Sequence, residues 1–545
     1  MRKLLVLLAA MLAVPASAIP PLPGPPPAPP PRLLIVLAID GLSADLFDEY
    51  RPMLFGGLGR LARGTVFPNG YQSHAATETC PGHSTMLTGL RPARTGIIAN
   101  YWTDQSLSRS DKSVYCAEDV RAPGSSSTAY TVSPVHLKGM TLGERLKRSS
   151  PASRNVAVGG KDRAAVMMGG QLVDQRWYWD GKRFASDLKA GPTPHSVTRA
   201  NGAVAAMIAA SQAPLDPPQL CSDKARLVPI EGGGKPVGAG RFGRGAGDAN
   251  GFRASPAFDG AVLALAAGLI EEMQLGRDAS PDLLSIGLSA TDFVGHSYGI
   301  RGQEMCLQLL SLDRDLGDFF RLLDRSGLDY AVALTADHGF VDIPERLRQQ
   351  NVPTAARAEP GLDATEVGKR IAAKLKLSGP VLIGDFFGDI YIDRALKPAD
   401  RARVLREAVA AYSAHPQVQA VFTAEQLARA PMPSGSPDRW TMLERARASF
   451  DPDRSGDLVV LLRQHVTPVP NTTRYIATHG SPWDYDRRVP ILFWRPAMPP
   501  ANRNEAIETV DIMPTLAAML GIQVDPASID GKCLTGVQGV ACPPR

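Results

Sequence analysis

Histidine is scarce in this sequence, with nine residues in 545, and aromatic residues reach only 6%. Charge of one sign is lacking as well: 59 Lys and Arg stand against 54 Asp and Glu, a net charge of +5. So small a bias argues against a nucleic-acid or membrane-surface partner. Cysteine is sparse, at positions 80, 116, 221, 306, 533 and 542, and shows no CxxC spacing. That excludes a thiolate zinc knuckle and a thioredoxin-like motif. Beyond the first dozen apolar residues, no run approaches the ~20 needed to span a bilayer, so no membrane anchor is expected in the mature chain. A repeat of fixed period is missing too, which excludes a solenoid. What is present is a folding composition, 44% hydrophobic and 21% charged. The length is too great for one compact core and far beyond a small binding module.

The N-terminus, MRKLLVLLAAMLAVPASA, has a basic start, a short apolar run and a small-residue end at Ala16-Ser17-Ala18. It reads as a signal peptide over 1–18, followed by a Pro-rich linker over 19–31. A periplasmic or secreted protein is expected, and no cysteine follows the cleavage point to carry a lipid. Export favours disulfides; Cys533 and Cys542 close a short loop and are the expected pair, while spacing leaves the other four open.

From residue 32 the chain alternates buried strands with helices. LLIVLA leads into Asp40-Gly41, Val156–Val158 into Gly159-Gly160-Lys161, LLSIGLSA (283–290) into Thr291-Asp292, and YAVALTA (330–336) into Asp337-His338-Gly339. With a helical pattern over 303–325, this predicts an α/β fold with a mostly parallel central sheet flanked by helices. Ligands of such folds bind at the carboxyl ends of the strands, where these polar residues fall. Two stretches read as insertions within a domain over 32–545. One lies near 165–260, with a Gly-rich loop at 232–251; the other lies near 380–475, with a strand-helix-strand set.

Three of the nine histidines sit in strand-end loops beside acidic or glycine residues: Asp292-Phe-Val-Gly-His296, Asp337-His338-Gly339 and Thr478-His479-Gly480. Carboxylate with imidazole suits Zn²⁺ better than Mg²⁺ or Ca²⁺, which prefer oxygen alone. Asp292 and His296, four apart, share one face of a helix. In Thr79-Cys-Pro-Gly-His83, a hydroxyl stands at the start of a helical run, where N–H groups and the dipole favour an anion. Thr79 alone is a poor nucleophile; a bound cation would lower its pKa.

In order along the chain, Asp40-Gly41, Thr79-Cys-Pro-Gly-His83, Asp292-x-x-x-His296, Asp337-His338-Gly339 and His479-Gly480 resemble the motif series of the alkaline phosphatase superfamily. The resemblance implies that superfamily's fold with inserted cap subdomains and two Zn²⁺ per chain. One ion would be held by Asp40, Thr79, Asp337 and His338, the other by Asp292, His296 and His479. It also implies a covalent phospho-threonine on Thr79, later hydrolysed, with His83 in a supporting role. Sulfatases need Cys-x-Pro-x-Arg, and here Cys80-Pro81-Gly82-His83 departs from it. Lys161-Asp162-Arg163 resembles the Lys-x-Arg motif of the PafA-type threonine-dependent alkaline phosphatases, and Asn100 matches their phosphate-binding Asn. Two cations and an amide donor suit a monoester dianion. The expected activity is phosphate monoester hydrolysis on small phosphorylated metabolites by a monomer. A phosphodiesterase or nucleotide pyrophosphatase of the same superfamily, or an inactive metal-binding scaffold, are the alternatives.

Overall fold

The computed structural model describes residues 29–189 and 191–543. The signal peptide expected over 1–18, and the linker as far as residue 28, lie outside the described residues. Seven consecutive apolar residues form β1 (Leu33–Ile39), and all are buried. A strand apolar on both faces needs cover on both, which a parallel sheet between helix layers provides. Accordingly Leu33, Ile35, Leu37 and Ile39 enter one core, while Leu34, Val36 and Ala38 enter the other.

The central sheet continues with β2 (Thr65–Tyr71), β3 (Asn155–Gly159), β4 (Gln175–Trp179), β5 (Phe184–Ala185), β6 (Asp282–Leu288) and β7 (Tyr330–Thr335). It closes with β8 (Arg488–Trp494), β9 (Ala501–Asn502) and β10 (Ile507–Glu508). In space the order is β9-β2-β8-β7-β1-β6-β3-β4-β5, with β10 also on β2. From β7 to β4 every pairing is parallel; β8 runs antiparallel to both β7 and β2. The flanking helices are α1 (Ala44–Tyr50), α2 (Thr79–Thr88), α3 (Asp162–Gly169), α4 (His195–Ala209), α5 (Pro256–Glu272), α6 (Ala290–Tyr298), α7 (Gln303–Arg325) and α8 (Ile512–Met519). The expected α/β architecture is present. The long helical pattern folds as α7, with Leu309, Leu312, Leu316, Phe320 and Leu323 on its buried stripe.

The stretch near 165–260 begins inside α3 and adds β4 and β5 to the edge of the central sheet, so its opening segment is part of the core fold rather than an insertion. Its Gly-rich loop is tied down where Gly238 and Gly240 donate backbone N–H groups to Glu304 Oε1 (2.9 and 2.8 Å), and where Cys221 bonds Cys306. Residues 364–462 form a separate unit. Strands Leu382–Ile383, Gly388–Ile392, Leu458–Leu462 and Val418–Thr423 pair in that order as an antiparallel sheet under helices Ala364–Leu375 and Pro398–Ser413. This unit has its own core around Ile371, Ile390, Val404 and Tyr412. At the C-terminus, α8 packs Met513 and Leu516 into the cluster holding Met86 and Leu87 of α2. Cys533 bonds Cys542 as expected, and Cys80 pairs with Cys116.

Candidate metal and phosphate site

The parallel strands end together and deliver their next residues to one place. Asp40 follows β1, Lys161 follows β3, Asp292 enters on α6 after β6, and Asp337 with His338 follow β7. Gly41 turns the chain with φ +78°, where an L side chain is strained. Thr79 is the first residue of α2, with Glu78 extended before it. Pro81 fits this first turn because its missing N–H has no helical partner there. Gly82 has a steric cause: a Cβ would lie 1.9 Å from the Asp337 carbonyl oxygen, so only glycine lets α2 press on that loop.

Each carboxylate satisfies one oxygen and leaves the other bare. Asp337 Oδ1 accepts from the Gly41 and His338 backbone N–H groups (3.1 and 2.9 Å). Asp40 Oδ2 accepts from Ser289 Oγ (2.8 Å) and lies 3.1 Å from Lys161 Nζ. Asp292 Oδ2 accepts from Lys161 Nζ at 2.6 Å. The opposite oxygens, Asp337 Oδ2, Asp40 Oδ1 and Asp292 Oδ1, are buried without a hydrogen-bond partner. The imidazoles are arranged alike. His296 Nδ1 donates to the Ala477 carbonyl, His338 Nδ1 to that of Gly339, and His479 Nδ1 to that of Thr77, each at 2.8 Å. A carbonyl can only accept, so these bonds fix the tautomer and leave each Nε2 as a lone-pair donor.

Those bare atoms converge. His296 Nε2 and His479 Nε2 stand 3.3 and 3.4 Å from Asp292 Oδ1, and His338 Nε2 stands 3.1 Å from Asp337 Oδ2. Lone pairs facing at such distances repel unless a proton or a cation lies between them. The donor set therefore fits divalent ions with mixed nitrogen and oxygen ligands. Two compact groups result: Asp292 with His296 and His479, and Asp40 with His83 and Asp337. His83, expected only in support, reaches into the second group. Its Nε2 is 3.3 Å from Asp40 Oδ1, and its Nδ1 is 3.4 Å from Asp337 Oδ2 and 2.9 Å from the Thr79 carbonyl.

The protonation pattern without an ion tells the same story. Burial disfavours a charged His338, yet the Asp337 carboxylate outweighs burial and raises its pKa to about 9. Burial, reinforced by the His338 charge, lowers His479 to about 4. Burial also opposes a charged Lys161, but Asp292 and Asp40 hold its pKa above the usual lysine value. Positive charge is thus held in the cluster by His338 and Lys161, while His479 is kept neutral.

Lys161, expected on phosphate oxygens, here lies between Asp292 and Asp40 with its Nζ 3.5 Å from Thr79 Oγ1. Arg163 reaches Tyr115 Oη at 3.4 Å. Asn100 accepts from the Cys80 N–H at 2.8 Å through Oδ1, which leaves its amide group free to donate beside Thr79. Sequence reasoning passed over Asp162, although an acidic residue in a helix's first turn was visible. It accepts from Tyr115 and Tyr130 hydroxyls (2.6 and 2.8 Å) and from the Arg163 N–H, fixing the loop between the two cations.

A helix-start hydroxyl beside a lysine that bridges two carboxylate and imidazole clusters, at the ends of a parallel sheet, is the arrangement of a phosphoryl- or sulfuryl-transfer class of site. The family model of type I phosphodiesterase / nucleotide pyrophosphatase matches residues 34–482, and the chain belongs to that family, within the alkaline phosphatase superfamily. It is 51% identical over 514 residues to the alkaline phosphatase PhoK of a Sphingomonas species, covering 93% of this chain and 91% of that protein. It is 45% identical over 523 residues to the alkaline phosphatase PhoD of Zymomonas mobilis, covering 94% and 89%. The crystal structure of the alkaline phosphatase PafA shares the fold, with a TM-score of 0.80 at 24% identity over 94% of this chain and 99% of that one.

Proposed function

We propose that this protein is a periplasmic or secreted alkaline phosphatase that hydrolyses monoesters of small phosphorylated metabolites through a phospho-threonine on Thr79. The observation that carries the reading is Thr79 Oγ1, at the start of α2, beside the Lys161 ammonium that contacts a carboxylate of each ligand cluster. Kinship supports it, since relatives at 51% and 45% identity are named alkaline phosphatases. Two zinc ions would be held by Asp292, His296 and His479, and by Asp40, Asp337, His338 and Thr79. When bound they would supply the positive charge that keeps the threonine hydroxyl ionised and offsets the phosphate's charge.

The protein's own groups do the rest. Thr79 Oγ attacks phosphorus as the bond to the ester oxygen breaks and the alcohol leaves with a proton; water then attacks the phosphorus of the phospho-threonine, the Oγ–P bond breaks, and inorganic phosphate departs as the hydroxyl is restored. Cys80 N–H is occupied by Asn100 Oδ1, so Asn100 Nδ2 offers the donor to a non-bridging oxygen. With Asp292 and Asp40 engaged as metal ligands, the Lys161 ammonium would be free to turn toward phosphate, and Arg163 would add a second charge. His83 donates through Nδ1 to the Thr79 carbonyl, which positions its ring beside the Asp40 and Asp337 carboxylates. The segment before cleavage and the three disulfides support export.

The test is a panel of aryl monoesters and their methyl diesters, run with metal analysis before and after chelation. Close to two zinc per chain, activity restored by Zn²⁺ and faster monoester turnover are expected. Replacing Lys161 and Arg163 together by alanine should lower monoester kcat/KM by about 10²-fold or more, and diester turnover clearly less. A wild-type enzyme faster on the diester would refute the reading.

A further inference from the structure

A cleft of about 400 Å³ opens beside the site, between the loop before α2 and the separate antiparallel sheet. Its lining includes the chain neighbours of three site residues: Glu78 before Thr79, Tyr101 after Asn100, and Gly480 after His479. The far side is supplied by the antiparallel unit, through Phe387, Asp389 and Tyr391. On the reading proposed above, a phosphate on Thr79 places the rest of the ester at this opening.

Two properties of the cleft are unusual together. It is aromatic: Tyr101 keeps 51% of its surface exposed at the opening, while Tyr391 and Trp102 are buried in the wall. It is also acidic: Glu78, Asp385 and Asp389 line it and no lysine or arginine does, although the Arg163 charge behind the wall acts on Glu78. Each of these carboxylates bonds a backbone N–H through one oxygen: Glu78 takes Asn100 (2.8 Å), Asp385 takes Phe386 (2.9 Å), and Asp389 takes Gly456 (2.7 Å). None has an ion-pair partner among the described residues. Burial, with the Glu78 charge nearby, raises Asp389 to about 6, so it is ionised at alkaline pH. Aromatic faces and carboxylates together attract a cation and repel an anion.

We infer that this cleft is the leaving-group subsite, and that it selects monoesters of aromatic alcohols bearing a positive charge over those bearing a negative one. A second groove has the opposite character, lined by Arg253, Arg474 and Tyr475, whose ring lies 4.8 Å from that of His296. The two surfaces predict opposite charge preferences.

The experiment uses the zinc-loaded enzyme and three aryl monoesters with similar phenol acidity: O-phosphotyramine, 4-ethylphenyl phosphate and phosphorylated 3-(4-hydroxyphenyl)propionate. The tyramine ester should exceed the propionate ester in kcat/KM by about tenfold or more, with the ethyl ester between. Asp389→Asn, which keeps the acceptor for Gly456, should reduce that ratio to about threefold or less. Asp385→Asn, on an exposed loop, should shift it the same way and serves if the first variant folds poorly. Equal kcat/KM for all three esters, or a ratio untouched by both variants, would overturn the subsite alone. Preference for the propionate ester would overturn it in favour of the arginine groove. Failure to hydrolyse any of the three would remove the phosphatase reading and the subsite with it.

Discussion

Lys161 provides the sharpest test of how the site is held together. Its ammonium lies 2.6 Å from Asp292 and 3.1 Å from Asp40, with side-chain exposures of 4%, 1% and 0% for the three residues. Replacing it by methionine, of similar volume, leaves two buried carboxylates without their cation in the metal-free protein. Breaking a buried pair from one side costs about 3–5 kcal/mol. For a chain of this length, unfolding entropy near 2.1 cal/mol/K per residue makes roughly 1 kcal/mol equal one degree of Tm. The Lys161→Met variant should therefore melt about 3–5 °C below wild type after chelation. With zinc loaded, the ions neutralise the same carboxylates, and the gap should shrink to about 1 °C or less. Scanning calorimetry of both proteins in both states reads the four values. An equal loss in both states would show that Lys161 and the ions do not share the carboxylates, and would refute the reasoning.

Burial opposes a charge on His338 and His83, but Asp337 and Asp40 outweigh it, raising His338 to about 9 and lifting His83 as well. A raised folded-state pKa gives stability that is full below about 6.5 and lost as pH climbs through about 9, so the chelated protein's Tm should fall across that window. Zinc-loaded protein should show little of this slope, and equal slopes would refute the link. Thr79→Ser should keep part of the activity, and Thr79→Ala should lose several orders of magnitude while holding the wild-type Tm. Acid trapping should find the phosphate on Thr79; finding it on Ser84 or Thr85 would refute the nucleophile. Cys116→Ser opens a bond spanning 36 residues, worth about 4 kcal/mol by loop entropy. It should also lower kcat/KM by freeing the start of α2, whereas Cys221→Ser should cost stability alone.

The strands that carry the site were legible because they are buried on both faces and so appear as unbroken apolar runs. β2 and β8 escaped for a physical reason. Each contains a proline, Pro68 and Pro490, which argues against a central strand. The fold admits both at one place, where the β2–β8 register shifts between Val489 and Ile491. β4 escaped because QRWYW lies at the start of a stretch whose Gly and Pro content reads as loop, although it extends the sheet beside β3. The fourth strand of the separate sheet, Leu382–Ile383, is too short to leave a periodic signal.

Within the site, side-chain chemistry was readable and its support was not. Asp, His, Thr and Lys announce themselves by residue type, whereas the carbonyls of Thr77, Gly339 and Ala477 that orient the imidazoles belong to no type at all. Spacing alone also left the resting contacts of the two cations unread. Lys161 and Arg163 read as a pair closing on one phosphate, but Asp162 between them is drawn to Tyr115 and Tyr130, and Arg163 follows it while Lys161 turns to Asp292 and Asp40. The negative charge of Asp292 and Asp40 explains the turn, because buried carboxylates capture the nearest flexible cation. A lysine suits that exchange better than an arginine, being a compact charge on a long stem that makes no fixed two-pronged contact. On the proposed function, Lys161 would be the residue that alternates between the carboxylates and a phosphate, while Arg163, bonded to Tyr115, would keep one place.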